Sequence, residues 1–172
     1  HLIAITENIT NTKLAEAQRT EAERSLMQLL RNLPGVAYRC LYDESWTMLY
    51  VSESFEKLTG YAAESVLKNN EIAFANLIYP DDQPMAIKKV AEALSQNLPF
   101  QLEYRIIHKK GGIRWFWEQG SAVKDKEGTI VAIEGYITDI TLQKQADANI
   151  RESEQRFQLL SKATNDAIWD WD

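Results

Sequence analysis

The chain has 172 residues, of which 45% are hydrophobic, and it carries a net charge of −6 at pH 7. This length supports one ordinary hydrophobic core with extensions, the acidic balance argues against nucleic-acid binding, and no apolar run is long enough to span a bilayer. Because Cys40 is the only cysteine, no internal disulfide can form, and we expect a cytoplasmic location, with any membrane anchor elsewhere in a longer protein.

The N-terminal region is predicted to be helical. Leu26, Leu29 and Leu33 follow one another at three- and four-residue spacing, which places them on one narrow face of a helix over residues 13–33. Such a seam is typical of a two-stranded coiled coil. The alternative is a helix that folds back on its own domain. Residues 1–12 are interpreted as the tail of a preceding module.

Residues 34–141 are predicted to form one domain. Aromatic and β-branched residues at 36–42 and 47–52 indicate a hairpin. Short helices follow, and Pro80 begins a longer helix whose first turn Asp81 and Asp82 are expected to cap. Three strands over 100–107, 113–124 and 129–138 are joined by glycine turns. The pattern predicts an α+β fold in which a five-stranded antiparallel sheet carries the short helices and the longer helix on one face.

The C-terminal region repeats the helical pattern over residues 142–163. Ile150, Phe157 and Leu160 lie at the same seam spacing as the N-terminal leucines. The two matching seams predict a parallel homodimer through the flanking helices. Residues 164–172 are interpreted as the start of a following module, with Trp169 and Trp171 in its first strand. Without the sheet of that module, the two tryptophans are expected to seek another surface or to extend the helix.

An internal repeat supports this arrangement. Residues 8–41 align without a gap to residues 139–172, and eight of the 34 positions are identical, where composition alone would give roughly two. Shared helix composition is the alternative explanation, but the similarity continues past the helices, where Tyr38 aligns with Trp169. Fixed-period similarity indicates a tandem array. Since the sequence begins at His1, we expect a piece of a longer protein, with adjacent modules and a downstream output domain as its partners.

Six short motifs occur in order across the central domain. They are Tyr50-Val51-Ser52, Leu58-Thr59-Gly60-Tyr61, Ile78-Tyr79-Pro80-Asp81-Asp82, Glu103-Tyr104-Arg105, Gly111-Gly112-Ile113-Arg114-Trp115, and Gly135 through Asp139-Ile140-Thr141. In this order they resemble the PAS domain with its C-terminal PAC motif, as found in tandem-PAS bacterial sensor proteins.

The resemblance implies two sites. Asp139, Ile140 and Thr141 resemble the family's junction between the last strand and the output helix, where helix caps would couple the sheet to the helix. A small-ligand pocket is expected between the sheet and the longer helix, and a filled core is the alternative. We expect the pocket near Tyr50, Ile87, Tyr104 and Phe116.

The same resemblance bears on cofactors. Haem-binding members use an axial histidine from the longer helix, and residues 80–97 contain none. Light-sensing members use a cysteine in an asparagine-cysteine-arginine setting after the small helices, whereas Cys40 lies in the first predicted strand. Haem and a flavin–thiol adduct are therefore disfavoured, Cys40 is expected to be a core residue, and no particular ligand is indicated.

No catalytic or metal-binding set is evident in the sequence. His108 lies beside the Lys109-Lys110 turn, where an exposed polar role is expected, and no glycine-rich phosphate loop precedes a helix. We therefore expect no enzymatic activity in this segment. The resemblance implies a regulatory sensor and dimerisation module, most often of a histidine kinase. The alternatives are a module of a diguanylate cyclase or phosphodiesterase, or a protein-interaction module without a ligand.

Overall fold

The computed structural model describes residues 34–169 without a break, together with residues 13, 16–22, 24–25 and 28, and it describes side chains as far as residue 159. The described residues before 34 are helical and exposed, as predicted, whereas Leu26, Leu29 and Leu33 lie outside the described residues. Over the described ranges, no helix combines the length and apolar character needed to cross a bilayer.

Five strands and four α-helices make up the described domain and its C-terminal extension. In chain order they are β1 (Val36–Cys40), β2 (Met48–Val51), α1 (Phe55–Thr59), α2 (Ala63–Val66), two 3-10 turns (Phe74–Leu77 and Pro80–Asp82), α3 (Gln83–Ser95), β3 (Phe100–Ile107), β4 (Ile113–Lys124), β5 (Ile130–Asp139) and α4 (Thr141–Trp169).

The strands form one antiparallel sheet in the order β2-β1-β5-β4-β3. The five-stranded antiparallel sheet predicted from the sequence is confirmed, and β3 and β4 have the predicted bounds. Strand β1 is shorter than predicted because the chain turns after Cys40. Asp43 Oδ1 accepts hydrogen bonds from the amides of Ser45 and Thr47, at 3.1 and 3.0 Å, which closes this turn as an Asx motif.

One face of the sheet carries the core. Alternate side chains of β3 are buried, and helix α3 covers them with Ala86, Val90 and Leu94, which recur every four residues. Each fully buried aliphatic or aromatic side chain of this kind contributes roughly 1.5–3 kcal/mol. Ile87 falls on the adjacent face of α3 and is 52% exposed.

Asp82 does not act as the helix cap that the sequence predicted. It occupies the N-cap position of α3 without a side-chain capping bond. Its carboxylate instead accepts hydrogen bonds from Arg105 Nε at 2.9 Å and Arg105 Nη2 at 2.6 Å. The bidentate geometry of a guanidinium fits a carboxylate closely, so this pair fastens the start of α3 to β3.

Helix α4 is longer than the predicted 142–163 segment. It continues through Trp169, so residues 164–169, interpreted from the sequence as the start of a following strand, extend the helix. A strand needs a partner for its backbone groups, whereas a helix satisfies most of its own.

Candidate functional site

Among the residues that the structure describes, Glu118 is the one acidic residue buried on the inner face of the sheet. Phe116, Glu118 and Gly120 occupy alternate buried positions along β4, and Glu118 is only 8% exposed. Because successive side chains of a strand point to opposite faces, an inward Phe116 requires an inward Glu118. Burying a carboxyl group among apolar residues is costly without compensation, which makes this position a candidate for function.

Tyr38 reaches Glu118 by crossing two glycines. It pairs on β1 with Gly135 of β5, which in turn pairs with Gly120 of β4. A Cβ atom would lie 2.7 Å from the Tyr38 hydroxyl oxygen at Gly135 and 2.9 Å from it at Gly120. The missing side chains therefore leave space for the ring on the sheet face, and the Tyr38 hydroxyl donates a hydrogen bond to Glu118 Oε1.

Tyr104 approaches the carboxyl group from the other side. It lies on β3 opposite Phe116, two residue pairs along the ladder from Glu118 and on the same face, and its ring forms an edge-to-face contact with Phe116 at a centroid distance of 6.2 Å. Its side chain is fully buried, yet its hydroxyl has no hydrogen-bond partner of normal geometry among the described residues. The hydroxyl nevertheless lies close enough to Glu118 to lower the pKa of that carboxyl group, so it faces the carboxyl group without forming a hydrogen bond of normal geometry.

The cluster has unusual protonation behaviour. Burial raises the pKa of the Glu118 carboxyl group above its ordinary value of 4.5, while the nearby hydroxyls of Tyr104 and Tyr38 act in the opposite direction. Burial and then Glu118 raise the pKa of both tyrosines well above 10.0. Burial also raises the pKa of the Cys40 thiol. Glu118 is therefore the group of this cluster whose charge changes most readily.

These side chains line a small internal cavity of about 20 Å³, which is room for one water-sized group. Glu118, Tyr38, Tyr104 and Cys40 form its sheet side. Its remaining walls include Trp46, Met48, Phe74, Ile78, Ala86, Val90 and Leu102. Apolar walls with a few convergent polar groups are typical of small-molecule sites, but such sites usually measure about 300–1,000 Å³, so only a water-sized part of a ligand fits this cavity.

The structure brings one of the four predicted pocket residues to this cavity, namely Tyr104. Phe116 is buried in the core and contacts the Tyr104 ring, but it does not line the cavity. Tyr50 points away because an irregularity between Arg39 and Cys40 leaves Met48 and Val51 as the buried residues of β2. Ile87 lines a groove on the outer surface instead.

Glu118, Tyr38 and Cys40 were not predicted as site residues. Glu118 could have been found from the alternation of β4, because Phe116 fixes which face is apolar and places a charged residue on it. The approach of Tyr38 carries no local signal, since it depends on glycines of two other strands. Cys40 is buried, as expected for a core residue. Within the described residues, no group of three or more His, Cys, Asp or Glu side chains is placed to hold a metal ion.

The predicted relay residues form a bonded junction between the sheet and helix α4. Asp139 Oδ1 accepts a hydrogen bond from the Thr141 amide at 2.8 Å, and Asp139 Oδ2 lies 3.0 Å from Arg114 Nη1. The Thr141 hydroxyl accepts from the Trp115 amide at 2.9 Å, and the Ile140 amide donates to the Trp115 carbonyl at 2.8 Å. The start of α4 is thereby held by β4.

A second contact holds the next turn of α4 to the outer face of the sheet. Lys144 Nζ lies 2.5 Å from Glu103 Oε2 and 5.3 Å from the centre of the Trp115 ring. A cation above an aromatic face contributes roughly 0.5–1 kcal/mol at an exposed site. Trp115 therefore contacts α4 in two ways, through backbone hydrogen bonds and through the cation–π contact of its ring with Lys144.

The predicted dimer residues of α4 lie beyond these contacts. Ile150 and Phe157 are 57% and 73% exposed, and the side chain of Leu160 lies outside the described residues.

His108 differs from its predicted exposed role. It is buried, and a Cβ at Gly60 would lie 2.8 Å from its Cε1 atom. Gly60, at a φ of 80°, ends helix α1, and its lack of a side chain makes room for the imidazole. His108 thus packs α1 against the turn between β3 and β4. Burial lowers its pKa, with Arg114 and Lys110 acting in the same direction.

Comparison with known proteins agrees with this architecture. The family model for the PAS fold matches residues 48–137. A solved structure of a sensory box histidine kinase/response regulator from Burkholderia thailandensis superposes with a TM-score of 0.62 at 22% identity, covering 77% of this chain and 97% of that one.

Two curated relatives are much longer than this chain. Protein y4lL of Sinorhizobium fredii is 28% identical over 98% of this chain and 20% of its own length. The two-component sensor PprA of Pseudomonas aeruginosa is 24% identical over 89% of this chain and 16% of its own length. The chain thus spans a fifth or less of these relatives. With a match over more than half of its residues, the chain belongs to the PAS fold family, whose modules serve as sensors in signal-transduction proteins.

Proposed function

We propose that this chain is the regulatory sensor module of a two-component sensor kinase and that occupancy of the core cavity changes the position of helix α4. The observation that carries the proposal is the double role of β4. Glu118 of this strand lines the cavity, while Arg114 and Trp115 of the same strand bond the start of α4. A shift of β4 would therefore move both the lining of the cavity and the residues that hold the start of α4.

The kinase assignment is supported by the two-component sensor among the relatives. It is tested on the longer protein that carries this chain by measuring autophosphorylation from ATP. We expect Asp139→Ala to change the rate about fivefold or more, a typical coupling between sites. Glu134→Ala, which removes a pair on exposed β1 and β5 side chains, is the matched control and should leave the rate unchanged.

Two outcomes would contradict this proposal. If the longer protein synthesises a cyclic dinucleotide and does not autophosphorylate, the output domain is a cyclase and the kinase assignment is wrong. An unchanged autophosphorylation rate in a folded Asp139→Ala protein would contradict the role of Asp139 in passing the signal to α4. Sensing itself is tested by native mass spectrometry of protein purified without denaturation, and we expect a retained small molecule. A chain that copurifies with a partner protein and retains no small molecule would instead favour a protein-interaction module without a ligand.

We further propose that α4 and the N-terminal helix pair with those of a second copy in a parallel dimer. Ala146, Ile150, Ser153 and Phe157 share one seam of α4 and are all exposed, and apolar side chains at this spacing are stabilised by a partner helix. Light scattering should give a dimer mass for the chain. The doubly substituted chain with Ile150→Glu and Phe157→Glu should be monomeric, whereas Gln155→Glu should stay dimeric. A monomeric wild-type chain at high concentration would overturn the dimer.

A further inference from the structure

The buried carboxyl group of Glu118 lacks a positive partner. Its hydrogen bond from Tyr38 comes from a neutral donor, and among the described residues no lysine, arginine or histidine forms an ion pair with it or lines the cavity. Tyr104, fully buried on the other side, has a hydroxyl that faces Glu118 without a hydrogen bond of normal geometry among the described residues. Two polar groups of the cavity therefore have bonding capacity that the protein does not use.

The remaining lining favours a cation. The rings of Tyr38, Trp46, Phe74 and Tyr104 all border the cavity, and the faces of aromatic rings carry negative electrostatic potential. Glu118 adds the only ionisable carboxyl group among the lining residues. An anionic head group would find no positive partner among these residues, whereas a positively charged head group would favour the ionised form of Glu118 and interact with the rings.

The same chemistry recurs in a groove on the outer surface. This groove, which we call the vestibule, is lined by Tyr42, Asp43, Glu44, Trp46 and Ile87 and has a volume of about 270 Å³. It combines two acidic residues with two aromatic rings whose centres are 6.2 Å apart. Its lining contains no basic side chain.

Trp46 borders both the vestibule and the cavity. Its backbone has a φ of 50°, a left-handed conformation that costs a bulky residue about 1 kcal/mol or more. The hydrogen bonds from the amides of Ser45 and Thr47 to Asp43 fix the turn on either side of it. Trp46 lies between β1 and β2 and belongs to neither strand, so a change of its side-chain torsions breaks no strand pairing.

We propose that the module binds a small organic cation, whose ammonium group reaches Glu118 and Tyr104 in the cavity and whose apolar body lies in the vestibule after the Trp46 ring has moved aside. This inference rests on the proposed sensor function and specifies its ligand class. The cavity accommodates one group of water size, which matches an ammonium head, and the vestibule accommodates a body of about ten heavy atoms.

The probe that tests this is 2-phenylethylammonium, titrated into the full 172-residue chain by calorimetry. Its matched anion is 3-phenylpropionate, which has the same ring on a short chain with the opposite charge. We expect saturable binding of the cation with a Kd of about 1 mM or tighter and no binding of the anion. Glu118→Gln, which keeps the shape and the acceptor for Tyr38, should weaken binding of the cation about tenfold or more.

A second variant tests the inference even if Glu118→Gln fails to fold. Tyr104→Phe removes only the unpartnered hydroxyl and should weaken binding a few-fold, while Tyr136→Phe, on the outer face of β5, should leave binding unchanged. Circular dichroism confirms that each variant is folded.

Equal binding of the anion, unchanged affinity in folded Glu118→Gln, or no heat of binding to the wild-type chain up to about 10 mM cation would each overturn the inference. Retention of a neutral or anionic native molecule in mass spectrometry would also overturn it, while leaving the sensor function intact.

Discussion

The hydroxyl of Tyr38 on β1 donates a hydrogen bond to the buried carboxyl group of Glu118 on β4, although β5 lies between the two strands. The contact exists because the intervening positions, Gly135 and Gly120, have no side chains. One polar bond thus joins strands that are not neighbours, on the face of the sheet that lines the cavity.

Tyr38→Phe tests the value of this bond. The substitution leaves the buried carboxyl group without its donor, so we expect the free energy of unfolding to fall by about 1–3 kcal/mol. In a Glu118→Gln background the loss should be smaller, which a double-mutant cycle by urea denaturation measures. Tyr42→Phe, at a tyrosine that is 47% exposed, is the control and should stay within about 0.5 kcal/mol. Because the amide oxygen of Glu118→Gln can still accept this bond, equal losses in both backgrounds would show that the carboxyl group strengthens it no more than an amide does.

Stability should depend on pH through Glu118. Burial raises the pKa of Glu118 in the folded chain above its ordinary value of 4.5. Between the pKa of the unfolded chain and the higher pKa of the folded chain, the folded state therefore holds more protons than the unfolded state. The free energy of unfolding therefore falls as the pH rises through this window. Relative to Glu118→Gln, which does not titrate, the wild type should lose stability as the pH rises above 4.5, which urea denaturation at a series of pH values measures.

The groups that face Glu118 support this assignment. They are Tyr38 and Cys40 from β1 and Tyr104 from β3, and the pKa of each is raised, so none of them gains charge in this window. His108 titrates in both proteins, and its contribution cancels in the difference. A constant difference between wild type and variant across the range would contradict the prediction.

Gly120→Ala should destabilise the sheet. A Cβ atom there would lie 2.5 Å from Phe100 Cζ and 2.9 Å from the Tyr38 hydroxyl oxygen, so both rings must move from their packed positions. Overpacking of this kind costs about 1–3 kcal/mol, which thermal unfolding detects. The control is Ser121→Ala, at the next, exposed residue, with an expected change within about 0.5 kcal/mol. A Gly120→Ala chain as stable as the control would show that the rings have other room.

Asp139→Ala should loosen the start of α4 more than it weakens the domain. The carboxylate bonds both the Thr141 amide and Arg114, so we expect faster hydrogen exchange at Thr141 and a global loss of about 1 kcal/mol. Glu134→Ala removes an exposed ion pair and should cost at most about 1 kcal/mol without changing this exchange. Unchanged exchange at Thr141 in Asp139→Ala would mean that the backbone bonds to Trp115 alone hold the helix.

Much of the fold could be predicted from local sequence. The alternation of Phe100, Leu102, Tyr104 and Ile106 defines both the bounds and the buried face of β3, because side-chain direction in a strand depends only on parity. The Asp139-Ile140-Thr141 junction could likewise be located, since its cap from Asp139 to the Thr141 amide is local, whereas its bonds to Arg114 and Trp115 depend on the pairing of β4 with β5.

The cavity depended on tertiary structure. Which face of α3 is buried was decided by its angle on the sheet, and that angle placed Val90 at the cavity and Ile87 outside it. Asp82 was available as a helix cap, but the strand pairing brought Arg105 within reach of its carboxylate, and the charged bidentate bond was formed instead.

The sequence by itself therefore determined the order of the elements, the antiparallel sheet and the place where the last strand meets its helix, because these follow from side-chain period and turn chemistry between near neighbours. Only the tertiary structure decided that Tyr38, Glu118 and Tyr104 meet. These residues come from β1, β4 and β3, and their contact requires the strand order and two glycines at paired positions, a relation between distant residues that no local pattern records.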